Sequence, residues 1–136
     1  MDPVSQGAIG ATFAVATIRR KKVASVAFIG ALAGLAPDVD VFFQSASDPL
    51  LFLEYHRQFT HSLIFIPFGA LIVALLARFL LRPDLDLRTI YLSALAGYAT
   101  HGLLDSFTSY GTQLFWPFSD YPVSYTHLTL PTICSV

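Results

Sequence analysis

Between Ala8 and Leu104 the chain runs through four apolar segments, and most of its charge sits in the gaps between them. Ala8 to Ile18 is closed by the basic run Arg19 to Lys22. Val23 to Ala36 is closed by Pro37 and the carboxylates of PDVD. Ser62 to Leu81 carries Arg78 near its far end, and Thr89 to Leu104 follows a short charged loop. Such a pattern restricts the fold to helices that share apolar faces or sit in an apolar solvent. Only 12% of the 136 residues are charged and 54% are hydrophobic, against about one quarter charged in an ordinary soluble domain. A bilayer accounts for the missing charge better than a soluble bundle, although runs of ~10–14 residues also fit buried core helices. The expected fold is therefore all-α, a membrane-embedded bundle of about four short transmembrane or interfacial helices. Only the third segment has the roughly 20 residues that cross a ~30 Å hydrocarbon core. The net charge of −1 excludes the basic face that nucleic-acid binding requires.

No basic residue precedes the first apolar segment, so it reads as a retained anchor rather than a cleaved signal. The run VSYTHLTLPT, Val123 to Thr132, resembles translated sequencing adaptor; the other reading is a short native strand. The adaptor reading assigns residues 1–122 to one domain, C-terminally truncated, and residues 123–136 to a non-native tail. His127 and Cys134 then carry no function. With its one cysteine in that tail, the native part can form neither disulfides nor thiolate sites.

Gly30 and Gly34 form a G-x-x-x-G in the second segment, and Ala94 and Gly97 line the fourth. Small residues of this kind let helix backbones approach closely in lipid. Orientation follows from the basic residues. Of eight, Arg19, Arg20, Lys21 and Lys22 fill the first loop, and Arg78, Arg82 and Arg88 border the third. By the positive-inside rule those loops face the cytoplasm. The second loop, from Asp38 to His61, and the segment after Leu104 then share the opposite side.

Metal-type residues gather on that opposite side. His101 and Asp105 of HGLLD are four apart, on one helix face with Cβ atoms ~5–6 Å apart. They can chelate an ion, or the ring N–H can bond the carboxylate as a clasp between helices; the two readings are evenly matched for this pair alone. In PDVD, Pro37 disfavours a continuing helix, and an extended stretch would point Asp38 and Asp40 to one side. Two such carboxylates repel unless a cation or an arginine lies between them. In HRQFTHS, His56 is expected on the loop and His61 on the first turn of the third helix, with Thr60 near its cap. Arg57 can clamp an anionic oxygen or pair with Glu54 or Asp38. A serine-hydrolase site on Ser62 or Ser106 lacks the G-x-S-x-G elbow. Tyr110, Phe115, Trp116, Phe118 and Tyr121 read as an interfacial anchor at headgroup level.

Taken in order, MDPVSQGAIGA, LAPDVD, HRQFTHS and THGLLDSFTSYGTQLFWPFSDY resemble the YdjM-like family, described as membrane-bound metal-dependent hydrolases of the inner membrane. Some of its members carry a LexA-binding label. The resemblance spans nearly all of Met1 to Tyr121. The family pattern continues with another apolar stretch and an acidic motif, where this chain has the adaptor-like run. The H-x-x-x-D spacing is also similar to that of the all-helical zinc-dependent phospholipase C and P1-type nucleases, an analogy at fold level.

The resulting expectation is a metal site at the membrane surface. Asp40, His61, His101 and Asp105 are the direct ligands, with Asp38 and His56 completing a second ion or supporting the ligands from outside. Mixed His/Asp ligation suits Zn²⁺, with Mn²⁺ or Fe²⁺ as alternatives. Water activated there would hydrolyse a phosphoester or other amphiphilic substrate, with Asp38 taking the proton and Arg57 clamping an anionic oxygen. Two rival readings are a metal-ion transporter, for which no inverted repeat is visible, and a non-catalytic regulatory protein with a LexA-type partner. The predicted cytoplasmic loops are short for the latter. The charge pattern makes a direct prediction about sidedness. With Cys134 removed, a cysteine replacing Ser47 should react with a membrane-impermeant thiol reagent in intact cells, and one replacing Asp84 only after lysis. The reverse pattern would put the site on the cytoplasmic side.

Overall fold

The computed structural model describes residues 2–18, 22–42, 60–107, 112–119 and 123, with backbone alone for 40–42. Among these residues the chain forms four α-helices, α1 (Pro3–Thr17), α2 (Val23–Leu35), α3 (Ile66–Leu80) and α4 (Leu87–Ser106), and a 3₁₀ helix, Ala36–Phe42, that continues α2. The all-α expectation holds, and the one β feature among the described residues is an isolated antiparallel bridge between Thr112 and Val123.

Local chemistry sets each boundary. Asp2 caps α1, its carboxylate accepting from Ser5 N–H at 2.9 Å, and Pro3 occupies the first turn, where a missing N–H costs nothing. Those hydrogen bonds hold the exposed Asp2 carboxyl below its usual value. Asp86 caps α4 in the same way, accepting from Thr89 N–H at 3.1 Å and from the Thr89 hydroxyl at 2.7 Å. Pro37 turns α2 into the tighter 3₁₀ helix. With about three residues per turn that helix does not keep positions i and i+2 on one face, so the extended PDVD expectation is corrected.

The third segment also differs from expectation. Helix α3 starts at Ile66, not Ser62, because residues 60–65 form turns whose backbone is engaged elsewhere. Phe65 N–H bonds Ser62 O at 3.0 Å, and Leu63 N–H donates to Leu114 O at 2.9 Å. Pro67 stands in the first helical turn. At 15 residues, α3 is about 22 Å long, short of a ~30 Å hydrocarbon core. No described helix is long and apolar enough to cross a membrane.

Helix α4 is the centre of the bundle, with α1 and α2 on one side and α3 on the other; α1 also packs along α2. The core is built from Ile29 and Ala33 of α2, Ala70, Ala74 and Ala77 of α3, and Ile90, Ala94 and Tyr98 of α4. Alanines dominate because the axes lie close together. A Cβ on Gly10 would lie 2.6 Å from Gly30 O, one on Gly34 2.7 Å from Gln6 O, and one on Gly97 would overlap the Gly30 carbonyl. The small residues picked out by sequence thus form the crossing of α1, α2 and α4. At one end Lys22 donates to both the backbone carbonyl and the carboxylate of Asp84, joining the α1–α2 and α3–α4 connections. Lys22 holds the Asp84 carboxyl below its usual value. This contact is therefore intact at neutral pH and lost only as pH falls through that depressed range.

Overpacking a contact this close should destabilise the bundle. Gly97→Ala is expected to lower stability by about 1–3 kcal/mol, read as a lower midpoint of thermal unfolding. An unchanged midpoint would mean that α2 and α4 do not approach this closely in solution.

Candidate metal centre

One turn beyond the glycine crossing, α2 and α4 bring polar groups together. Gly30 to Gly34 and Gly97 to His101 are both steps of four along parallel helices. The Gly34 carbonyl thereby meets His101 Nδ1 at 2.5 Å. A carbonyl can only accept, so Nδ1 carries the proton, and in the neutral ring Nε2 is left as a lone-pair donor facing the opposite way. This is how metal-binding histidines are usually oriented.

Nε2 of His101 faces Nε2 of His61 at 3.0 Å, with ring centroids 4.7 Å apart and planes inclined at 64°. Two N–H groups cannot point at one another across that gap, so at most one Nε2 carries a proton. His61 arrives on the 60–65 turn, not on a helix as the sequence suggested, and the turn is tethered to α4. Tyr98 OH donates to Thr60 O at 3.0 Å, and a Cβ on Gly102 would lie 2.8 Å from His61 O. His61 Nδ1 meets the Thr60 hydroxyl at 2.9 Å, so Thr60 lies beside the imidazole instead of capping a helix.

Two carboxylates complete the group. Asp38 Oδ1 lies 3.2 Å from His101 Nε2 and 3.8 Å from His61 Nε2. Asp105 Oδ2 lies 3.5 Å from His61 Nε2 and 3.9 Å from His101 Nε2. One ligand atom from each of Asp38, His61, His101 and Asp105 falls within 4.8 Å of all the others. Metal–nitrogen and metal–oxygen bonds of ~2.0–2.1 Å imply tetrahedral edges of about 3.3–3.4 Å, which the five distances from 3.0 to 3.9 Å bracket. Two carboxylates with two neutral imidazoles also carry the charge that one divalent cation cancels. The residues present therefore fit such an ion. His61, His101 and Asp105 are fully buried, while the Asp38 side chain is 24% exposed and forms the open side.

The sequence places Asp40 among the direct ligands, with Asp38 completing a second ion or supporting the ligands from outside. The structure gathers Asp38 with His61, His101 and Asp105. The side chain of Asp40, and all of His56 and Arg57, lie outside the described residues, as do Tyr110 and Tyr121 of the aromatic group. Of that group, Phe115 and Phe118 are exposed. One contributor was missed. Gln6 of α1 is fully buried and donates Nε2–H to Asp105 Oδ1 at 3.0 Å. Its signal was slight, a single amide beside the first apolar run, with a partner 99 positions away.

A helical bundle that gathers two buried histidines, a buried aspartate and a partly exposed one at one end defines a class of small all-α proteins with a cation-type polar centre. Comparison with known proteins makes this specific. The chain belongs to the family described as YdjM inner membrane protein, whose model matches residues 1–134. That match runs across the adaptor-like stretch, of which the described residue Val123 pairs with Thr112. The chain is also similar to the uncharacterized protein YfhP of Bacillus subtilis (strain 168), 33% identical over 98 residues. Those residues are 71% of this chain and 29% of YfhP, so the chain spans under one third of that relative's length. No solved structure matches it.

Proposed function

We propose that this chain is a membrane-embedded, metal-dependent hydrolase that acts on a phosphoester or other amphiphilic substrate at the membrane surface. The observation that carries the reading is the convergence of Asp38, His61, His101 and Asp105, which supports a divalent ion, Zn²⁺ first by its ligand chemistry. A bound divalent cation supplies Lewis acidity toward water and toward a substrate oxygen. The chain's own residues supply the rest. His101 is held in its ligating tautomer by Gly34, and Asp105 is held by Gln6. Asp38, the one member of the cluster partly open to solvent, marks the side from which water and substrate would enter.

Membrane placement is supported by the surface of α3. Phe68, Leu71, Ile72, Leu75, Leu76, Phe79 and Leu80 are all exposed, an apolar extent unusual for a face meant for water. Helices shorter than the hydrocarbon core embed by thinning the bilayer or entering it partway. With the basic connections on the cytoplasmic side, the cluster faces away from the cytoplasm.

Purified in detergent without chelators, the chain should retain a transition metal. His101→Ala and Asp105→Ala should each weaken metal affinity by more than roughly 100-fold, since losing an outer partner alone costs ~10–100-fold. Helical circular dichroism should be preserved, and hydrolysis of a chromogenic phosphodiester in mixed micelles should be lost with the metal. Absence of metal above background in the unsubstituted protein would sink the proposal. Equal loss of folded protein in both variants would favour a purely structural histidine–aspartate clasp.

A further inference from the structure

Helix α1 contributes no member of the four-residue cluster, yet its first turns reach the cluster through one side chain. Gln6 is fully buried, and its amide nitrogen lies 3.0 Å from Asp105 Oδ1. An ionised carboxylate only accepts, so the NH₂ end of the amide must be the end that faces it, which settles which way the amide is turned. The two oxygens of Asp105 are thereby divided. Oδ1 takes the Gln6 N–H, and Oδ2 is the oxygen turned toward His61 and His101, at 3.5 and 3.9 Å. Gln6 Oε1 is also buried and has no hydrogen-bond partner among the described residues. A buried amide carbonyl is costly to leave unbonded and can only accept, so whatever meets it brings an O–H or N–H.

Resting on the metal-site reading above, we propose that Gln6 is the positioning residue of the cluster. It restricts Asp105 to ligation through Oδ2 and offers Oε1 as acceptor for a water or protic substrate group entering the centre. Two features of the fold favour this role over simple filling of space. A Cβ on Gly34 would lie 2.7 Å from the Gln6 backbone carbonyl, so α1 is seated against the same turn of α2 that orients His101. The neutral amide also adds a donor without adding charge, leaving two carboxylates to balance one divalent ion. A lysine here would compete with the cation, and a glutamate would repel Asp105.

The test uses the full chain in detergent, with Co²⁺ as probe, affinity measured by chelator competition and geometry by the visible absorption of bound Co²⁺. Gln6→Met conserves volume and removes both polar ends. It should weaken Co²⁺ binding ~10–100-fold and change the visible spectrum, because Asp105 is freed to rotate or bind through both oxygens. Gln6→Asn keeps the amide but draws it back by one methylene, and should act in the same direction even if the methionine variant folds poorly. In an Asp105→Ala background, Gln6→Met should add little, since its effect runs through Asp105. Unchanged affinity and spectrum in both single variants, with the unsubstituted chain binding Co²⁺, would overturn this inference alone. Additive effects in the double variant would equally overturn it. Failure of the unsubstituted chain to bind Co²⁺ would overturn the metal reading and this one with it.

Discussion

The close crossing of α2 over α4 is the contact on which the other features depend. At Gly97 and Gly30 the two backbones meet with no room for a side chain. Because the helices run parallel there, one further turn on each brings His101 to the Gly34 carbonyl. The same crossing seats α1 in the opposite direction, with Gly10 against Gly30 and Gln6 against Gly34. Three helices are thus locked in register by glycine before any polar group is engaged. The histidine tautomer and the aim of Asp105 are consequences of that register. A slip of one residue in α4 would rotate His101 by about 100° away from the cluster, and one in α2 would do the same to the Gly34 carbonyl.

A centre of this kind is expensive for the fold unless something compensates its charge. Asp105 is buried, and Asp38 is only partly open to water. Carboxylates so placed repel each other and lose hydration. Protonated imidazoles could offset them, but the 3.0 Å separation of the two Nε2 atoms leaves room for a proton on only one. A single divalent cation solves both problems, since it needs both lone pairs and both negative charges. The alternative clasp, in which one neutral histidine donates its Nε2–H to the other across that gap, brings no positive charge to the two carboxylates. Geometry and charge therefore both allow the cluster to hold a divalent ion, on grounds independent of family membership.

Legibility in the sequence followed the range of the interaction. His101 and Asp105 could be paired because helical periodicity alone places them on one face, and the glycines of α2 and α4 could be read as a close approach for the same reason. PDVD could not be resolved, because an extended path puts Asp38 and Asp40 on one side and a 3₁₀ path does not, and Pro37 is compatible with both. The third helix was overextended because Ser62 to Phe65 are mostly apolar. What delays the start of the helix is Leu63 bonding to Leu114, a partner 51 residues downstream and invisible to any local pattern. The same applies to Gln6. Its meaning lies in a contact with Asp105 across nearly the whole chain, and nothing near Gln6 announces it.

The two ends of the bundle are chemically opposite, and their separation gives them independent tasks. Lys22 and Asp84 join the connections at one end, with Arg78, Arg82 and Arg88 close by in sequence. The cluster lies at the other end, fourteen residues along α4 from Leu87 to His101, or about 21 Å at ~1.5 Å per residue. That distance is far beyond the ~4 Å reach of a direct ion pair. The basic end therefore does not supply the charge that balances Asp38 and Asp105; Lys22 there is engaged by Asp84, and Arg78 donates to the Pro83 carbonyl at 3.4 Å. The two ends are thus chemically separate, and the exposed apolar flank of α3 is the surface that lies between them.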